Sequence, residues 1–128
     1  MKAQTYIGNC YRLKLLDGIL YVTYVGGPIT LDIAKDLVKN RINLTKGRTV
    51  PVLVNIVKVK GIDREARDYL STEDGTSGLK AGAIVTSSVF TRHMANIFMK
   101  ISFNHSKMPA KMFTKESEAI DWLSQFKE

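Results

Sequence analysis

Apolar and polar side chains alternate in two short runs, Tyr11 to Leu16 and Ile19 to Val25, on either side of Asp17-Gly18. A period of two marks strands with one buried face, and Asp-Gly tolerates the positive φ of a two-residue hairpin turn. Such a turn pairs Leu16 with Ile19, Leu15 with Leu20, Leu13 with Val22 and Tyr11 with Tyr24. It predicts Leu13, Leu15, Leu20 and Val22 on a core face, and Arg12, Lys14, Tyr21 and Thr23 on a face at least partly wet. Gly26-Gly27-Pro28 stops the second strand. The period then becomes helical. Thr30 is placed to cap, Asp32 stands in the first turn, and Ile33, Ala34, Leu37, Val38 and Ile42 form a stripe between Leu31 and about Leu44. Gly47 ends that segment.

Residues 51 to 57, Pro51-Val52-Leu53-Val54-Asn55-Ile56-Val57, are almost continuously apolar, as in a central strand covered on both faces. Asp63 is placed to cap a short helix through Leu70, with Arg64, Glu65, Arg67 and Asp68 outward and Ala66, Tyr69 and Leu70 inward. Residues 71 to 78 are the most loop-like in the chain. A strand from Ala81 to Thr86 leads to a cap at Ser87 or Ser88 and a helix from about Val89 to Ser102. A short strand around Lys111-Met112-Phe113 precedes a last helix capped by Thr114, with Ala119, Ile120, Leu123 and Phe126 at helical spacing. The order β-β-α-β-α-β-α-β-α predicts an α/β fold: a mixed sheet of about five strands, opened by a β-hairpin and covered by about four helices.

Composition narrows the class. With 128 residues, 45% of them hydrophobic and 24% charged, the chain suits one globular domain spanning residues 1 to 128. No apolar run approaches a membrane span, and the polar start, Met1 to Tyr6, lacks a signal peptide's apolar core. A single cysteine excludes an intrachain disulfide and fits a reducing, cytoplasmic setting, with Cys10 expected half-buried in a strand. Residues 1 to 64 hold 11 Lys/Arg against 4 Asp/Glu, whereas residues 65 to 128 hold 8 against 8, so the whole net charge of +7 lies in the first half. That asymmetry suits an acidic partner as well as it suits a solubilising surface.

Function in an α/β domain is sought at the carboxyl ends of its strands. There the central strand runs into Lys58-Val59-Lys60-Gly61-Ile62-Asp63-Arg64, with Arg67 three positions on. Lys58, Lys60, Arg64 and Arg67 beside Asp63 form a cationic candidate site for a partner or an anion, without a serine, cysteine or histidine. The plainer alternative is that Lys60, Arg64 and Arg67 pair with Glu65 and Asp68 on a solvated helix face. A second candidate is apolar. Phe90, Met94, Ile97 and Ile101, widened by Phe98, form one helical stripe, while Ala95 and Met99 fall on the opposite side. Phe90, Met94, Phe98 and Met99 are thereby candidates for a homodimer contact, a partner groove or a lipid pocket, against the plainer reading as core.

The element order and the stretches GIDREARDYL, AGAIVTSSVFTRHMANIF and PAKMFTKESEAIDWL resemble the STAS domains, which share the SpoIIAA-like fold, and in particular small uncharacterised bacterial proteins of that superfamily. The resemblance runs from about Tyr11 to Phe126 and rests most on Pro109, Phe113, Glu118-Ala119 and Trp122-Leu123. It implies a non-enzymatic regulatory or protein-interaction module. Anti-sigma-factor antagonists of that superfamily carry a phosphorylatable serine after an aspartate at this turn. Asp63 matches the aspartate, but Arg64 stands in the serine's place, so the phospho-switch does not transfer.

His93 and His105 are the only histidines and have no ligand cluster around them, so no metal or other cofactor is expected. His93, beside the apolar stripe, is expected to be partly buried. No nucleophile with an identifiable base suggests an enzyme, and no nucleic-acid motif accompanies the charge. Two readings stay open: a module that binds a protein partner, and a protein that holds a lipid or small anionic ligand between sheet and helices.

Overall fold

The structure, a computed structural model, describes residues 3–87, 89–105 and 108–127, the side chains at 89–91 and 101–105 excepted. One six-stranded sheet, ordered as in the sequence, is built from β1 (Gln4–Ile7), β2 (Tyr11–Leu16), β3 (Ile19–Tyr24), β4 (Val50–Asn55), β5 (Leu79–Val85) and β6 (Ala110–Phe113). The first three strands are antiparallel and the last four parallel. The hairpin has the expected register, Leu16 against Ile19 through Tyr11 against Tyr24. Its turn holds Asp17 at φ 52° and Gly18 at φ 78°, the left-handed pair of a type I′ turn.

Helices α1 (Leu31–Thr45), α2 (Arg64–Leu70), α3 (Glu73–Thr76) and α4 (Val89–His105) cross between the parallel strands, and α5 (Glu116–Leu123) follows β6. Parallel strands laid down in sequence by crossovers of one hand receive their helices on one face. That face carries the main core, with Tyr11, Leu13, Leu20, Val22, Val52 and Ile84 under α1 and α4. A smaller core under α5 joins Ile19, Leu53, Ala81, Ala83 and Val85 to Ala119 and Leu123. Burial of Leu53 below and Val52 above explains the unbroken apolar run of β4.

Several expectations shift. Among the described residues the sheet has six strands, and five α-helices accompany it. β1 escapes a hydropathy reading because all four residues are exposed; backbone pairing to β2 and the stacking of the Tyr6 ring on Tyr11, centroids 6.2 Å apart, hold it. β4 ends at Asn55, two residues early, where the Asn55 side chain accepts a hydrogen bond from the Val57 N–H at 3.0 Å. In the segment read as loop, the Thr72 hydroxyl caps the single turn of α3 by accepting from the Gly75 N–H at 3.2 Å. Lys115, not Thr114, occupies the N-cap of α5. Cys10 sits at φ 68° in the turn before β2, partly buried but outside any strand. His93 is exposed, whereas Ala95 is fully buried, so the inward face of α4 is rotated toward Ala95 relative to the predicted stripe. The cap expected at Ser88 and the side chains of Phe90, Ile101 and His105 lie outside the described residues.

α1 is tied to the hairpin by a polar contact at the edge of the core. The Tyr11 hydroxyl donates to Asp36 Oδ2 at 2.6 Å and accepts from Asn40 Nδ2 at 3.1 Å. Burial, then the Asp36 carboxylate, pushes the Tyr11 phenol well above its ordinary range.

Candidate functional site

The connection between β4 and α2, residues 56–63, is polar outside and anchored inside. Ile56 and Val59 are buried, at 0% and 2% exposure, and the Val59 N–H bonds the Ile56 carbonyl at 3.0 Å to close a turn. Further along, Ile62 pairs with Ile29 of the β3–α1 loop: the Ile29 N–H donates to the Gly61 carbonyl and the Asp63 N–H to the Ile29 carbonyl, both at 2.9 Å. Anchors at 56, 59 and 62 force the intervening side chains outward. Val57, Lys58 and Lys60 are exposed, as is Arg64 at the start of α2.

The predicted ion pairs with Glu65 and Asp68 are absent: among the described residues Lys58, Lys60, Arg64 and Arg67 make no salt bridge. Arg67 is only half exposed and stands apart from the other three in that respect. Asp63 takes the N-cap position of α2 but makes no side-chain cap hydrogen bond, which leaves its carboxylate at the surface. With seven residues, α2 offers little dipole to an anion, so the charge of this turn comes from its side chains.

Val57 is not alone. Val25, which follows the end of β3, is also exposed, at 37% against 39% for Val57. Val57 stands in the same exposed turn as Lys58, with Lys60 and Arg64 following it in the chain. The valines were missed because each ends an apolar run, where a strand residue and an exposed one look alike in sequence.

The apolar candidates lie elsewhere. Met94 and Phe98, at 4% and 8% exposure, belong to the main core, and Met99 is partly buried against it, so these three do not form an exposed interface. Phe98 does line a partly open cavity of about 70 Å³ between the sheet and α1, lined also by Val22, Val54, Leu37 and Met108. Three polar residues also line it, Tyr24, Arg41 and Thr76. Arg41 is 3% exposed and donates to the carbonyls of Ser77 at 2.5 Å and Gly75 at 3.0 Å, so it caps the end of α3. Burial pushes its guanidinium down to about 10, and it stays charged at neutral pH. Position 41 continues the stripe of Ala34, Leu37 and Val38 at helical spacing, and that was the signal for its burial.

Comparison with known proteins gives a fold and a family. A crystal structure of an uncharacterised DUF3478-family protein with a SpoIIAA-like fold from Shewanella loihica PV-4 superposes with a TM-score of 0.60 over 96% of each chain, at 18% identity. The fold is therefore SpoIIAA-like, as the sequence resemblance implied. No curated protein matches the chain. Among the described residues no helix is long and apolar enough to cross a membrane. The family model for a domain of unknown function, DUF7793, matches residues 13–127, and the chain belongs to that family.

Proposed function

We propose that the protein is a non-enzymatic, cytoplasmic interaction module that binds an acidic protein partner through the β4–α2 turn. One observation carries the reading: Lys58, Lys60 and Arg64 stand exposed and unpaired on the same turn as the exposed Val57, which is fixed from beneath by Ile56, Val59 and Ile62. Apolar side chains surrounded by a charged rim are the usual make-up of a protein contact, and a pre-ordered turn spares the entropy of fixing it on binding. The partner is acidic because the rim is cationic and desolvating an unmatched charge is costly. A second copy docked through this surface would set cation against cation, which argues for a different protein. The turn holds no nucleophile, and the reading assigns it no reaction. Arg64 in place of a phosphoacceptor makes its charge permanent, so binding is not switched by phosphorylation at this position.

The test is charge reversal. Lys58→Glu, Lys60→Glu and Arg64→Glu together should remove proteins retained by the wild type from an extract of the source cells, with the melting temperature nearly unchanged. An identical set of retained proteins would refute the proposal.

A further inference from the structure

The sheet has two edges, and the sequence guards only one of them. At β6, Pro109 stands directly before the strand, Lys111 lies within it, and α4 and α5 both pack against it. β1, Gln4-Thr5-Tyr6-Ile7, holds no charge, no proline and no bulge, in a chain with 24% charged residues. Lysine, proline and bulges are among the devices that keep a strand edge from pairing with another chain. β1 also brings apolar side chains to the surface: Ile7 is 72% exposed and Tyr6 37%.

Pairing with β2 decides which backbone groups of β1 are free. The Gly8 N–H donates to the Tyr11 carbonyl at 3.0 Å. Gly8 and Tyr11 thus form a hydrogen-bonded pair, in the register that sets Tyr6 against Leu13 and Gln4 against Leu15. Bonded and non-bonded pairs alternate along an antiparallel ladder. Gln4 and Tyr6 therefore turn their N–H and C=O groups toward β2, whereas Thr5 and Ile7 turn theirs to the open edge. Among the described residues nothing bonds those outward groups. A row of donors and acceptors at that spacing is complementary to another extended strand.

The strand is complementary to itself. With Tyr6 on a two-fold axis, Thr5 of each copy faces Ile7 of the other. Every outward N–H and C=O of Thr5 and Ile7 then finds a partner, and no like charges meet. Tyr6 meets its own counterpart at a non-bonded position, where facing side chains come closest. Its ring is already stacked on that of Tyr11, centroids 6.2 Å apart, and the Tyr11 hydroxyl is held by Asp36 and Asn40. The aromatic contact is therefore ordered before a second copy arrives.

We propose that the protein forms a symmetric dimer by antiparallel pairing of β1 with β1 of a second copy, Tyr6 against Tyr6 and Thr5 against Ile7. A strand of four residues buries little area, so the dimer is weak, with a Kd on the order of tens of micromolar. The two six-stranded sheets become one. Because the copies run in opposite directions, their β4–α2 turns lie at opposite ends of the joined sheet and stay free. The dimer and the role of that turn stand or fall separately.

Sedimentation velocity of the full chain, from low to several hundred micromolar, should show a monomer passing to a dimer. Ile7→Pro removes an outward N–H that bonds nothing within the monomer, so it should leave the protein folded and raise the Kd at least tenfold. Ile7→Lys leaves the backbone intact and adds a charge beside Arg12, and it should raise the Kd about fivefold, more at low salt than at high. Register is read by oxidation on a Cys10→Ser background. Tyr6→Cys should form a disulfide-linked dimer at least tenfold faster than Thr5→Cys, since only position 6 meets itself across the axis. A monomer at every concentration, a dimer that both Ile7 variants leave intact, or equal crosslinking at positions 5 and 6 would each overturn the proposal.

Discussion

Several cations among the described residues lack carboxylate partners, and two sets of them differ in what surrounds them. Lys58, Lys60 and Arg64 lie in water on the β4–α2 turn, whereas Arg41 lies 3% exposed between α1 and the sheet. In water an unpaired charge costs the fold almost nothing, and its side chain is free to meet a partner. Inside, the same charge is desolvated, and the Gly75 and Ser77 carbonyls compensate it with dipoles alone. The exposed set therefore contributes to binding without contributing to stability. Arg41 contributes to architecture first, by holding the end of α3 against α1. Removal of the one set should be nearly silent to the fold; disturbance around the other should not.

The largest effect should come from the anchors that separate the two environments. Ile56→Ala removes a side chain at 0% exposure beneath the turn and should cost about 3 kcal/mol, read from chemical denaturation. A cost below ~1 kcal/mol would mean the turn is not fixed from beneath. Gly75→Ala comes next. Its Cβ would fall 2.4 Å from the Tyr69 carbonyl oxygen and 2.6 Å from Leu70 Cα, so backbone must move and the acceptor of Arg41 moves with it. We expect a loss of about 2 kcal/mol, by the same measurement, in the range of other overpacked sites. Tyr11→Phe, which removes the donor to Asp36, should cost about 1–2 kcal/mol.

Alkaline pH separates the buried groups from the exposed ones. Burial raises the folded-state pKa of Tyr11 and Tyr24 above the ordinary phenol value of 10.0. Above pH ~10 the unfolded chain releases phenolic protons that the folded chain keeps, so stability that is complete below that pH is lost as the pH rises. Arg41 acts in the opposite sense, because its folded-state value of about 10 lies below the ordinary 12.5. Burial raises Tyr21 as well, so three tyrosines against one arginine make the net trend downward. Ultraviolet titration should show Tyr11 and Tyr24 ionising only as the protein unfolds, and Tyr24→Phe should flatten the loss. Early ionisation of all five tyrosines would contradict the burial. The smallest change in stability belongs to the triple reversal at Lys58, Lys60 and Arg64, within ~0.5 kcal/mol of wild type, as for surface charges.

How far the sequence reached follows the same division between local signals and tertiary ones. The hairpin was legible to the residue, because Asp17-Gly18 fixes the turn and the turn fixes the register. The cationic turn was legible as a run of charges after an apolar strand. Its lack of pairing was not, since Glu65 and Asp68 lie close in sequence to Arg64 and Arg67 and only side-chain geometry separates them. β1 left no trace because an edge strand paired through its backbone to β2 needs no buried face of its own. Arg41 was hidden by its type: a stripe read only through apolar residues skips a cation, although position 41 falls on the buried face. Ala95 was set on the wrong face because a small side chain adds little weight to either side of a helix.

The central claim, that the β4–α2 turn and not the rest of the basic surface meets the partner, can be tested in place. A photo-crosslinking amino acid is introduced in separate variants at Lys58, at Lys60, and at the exposed Lys39 of α1 and Lys115 before α5, then irradiated in the source cells. The account predicts a discrete higher-mass adduct from positions 58 and 60 and none from 39 and 115. Equal adducts from all four positions, or none from the turn, would contradict it.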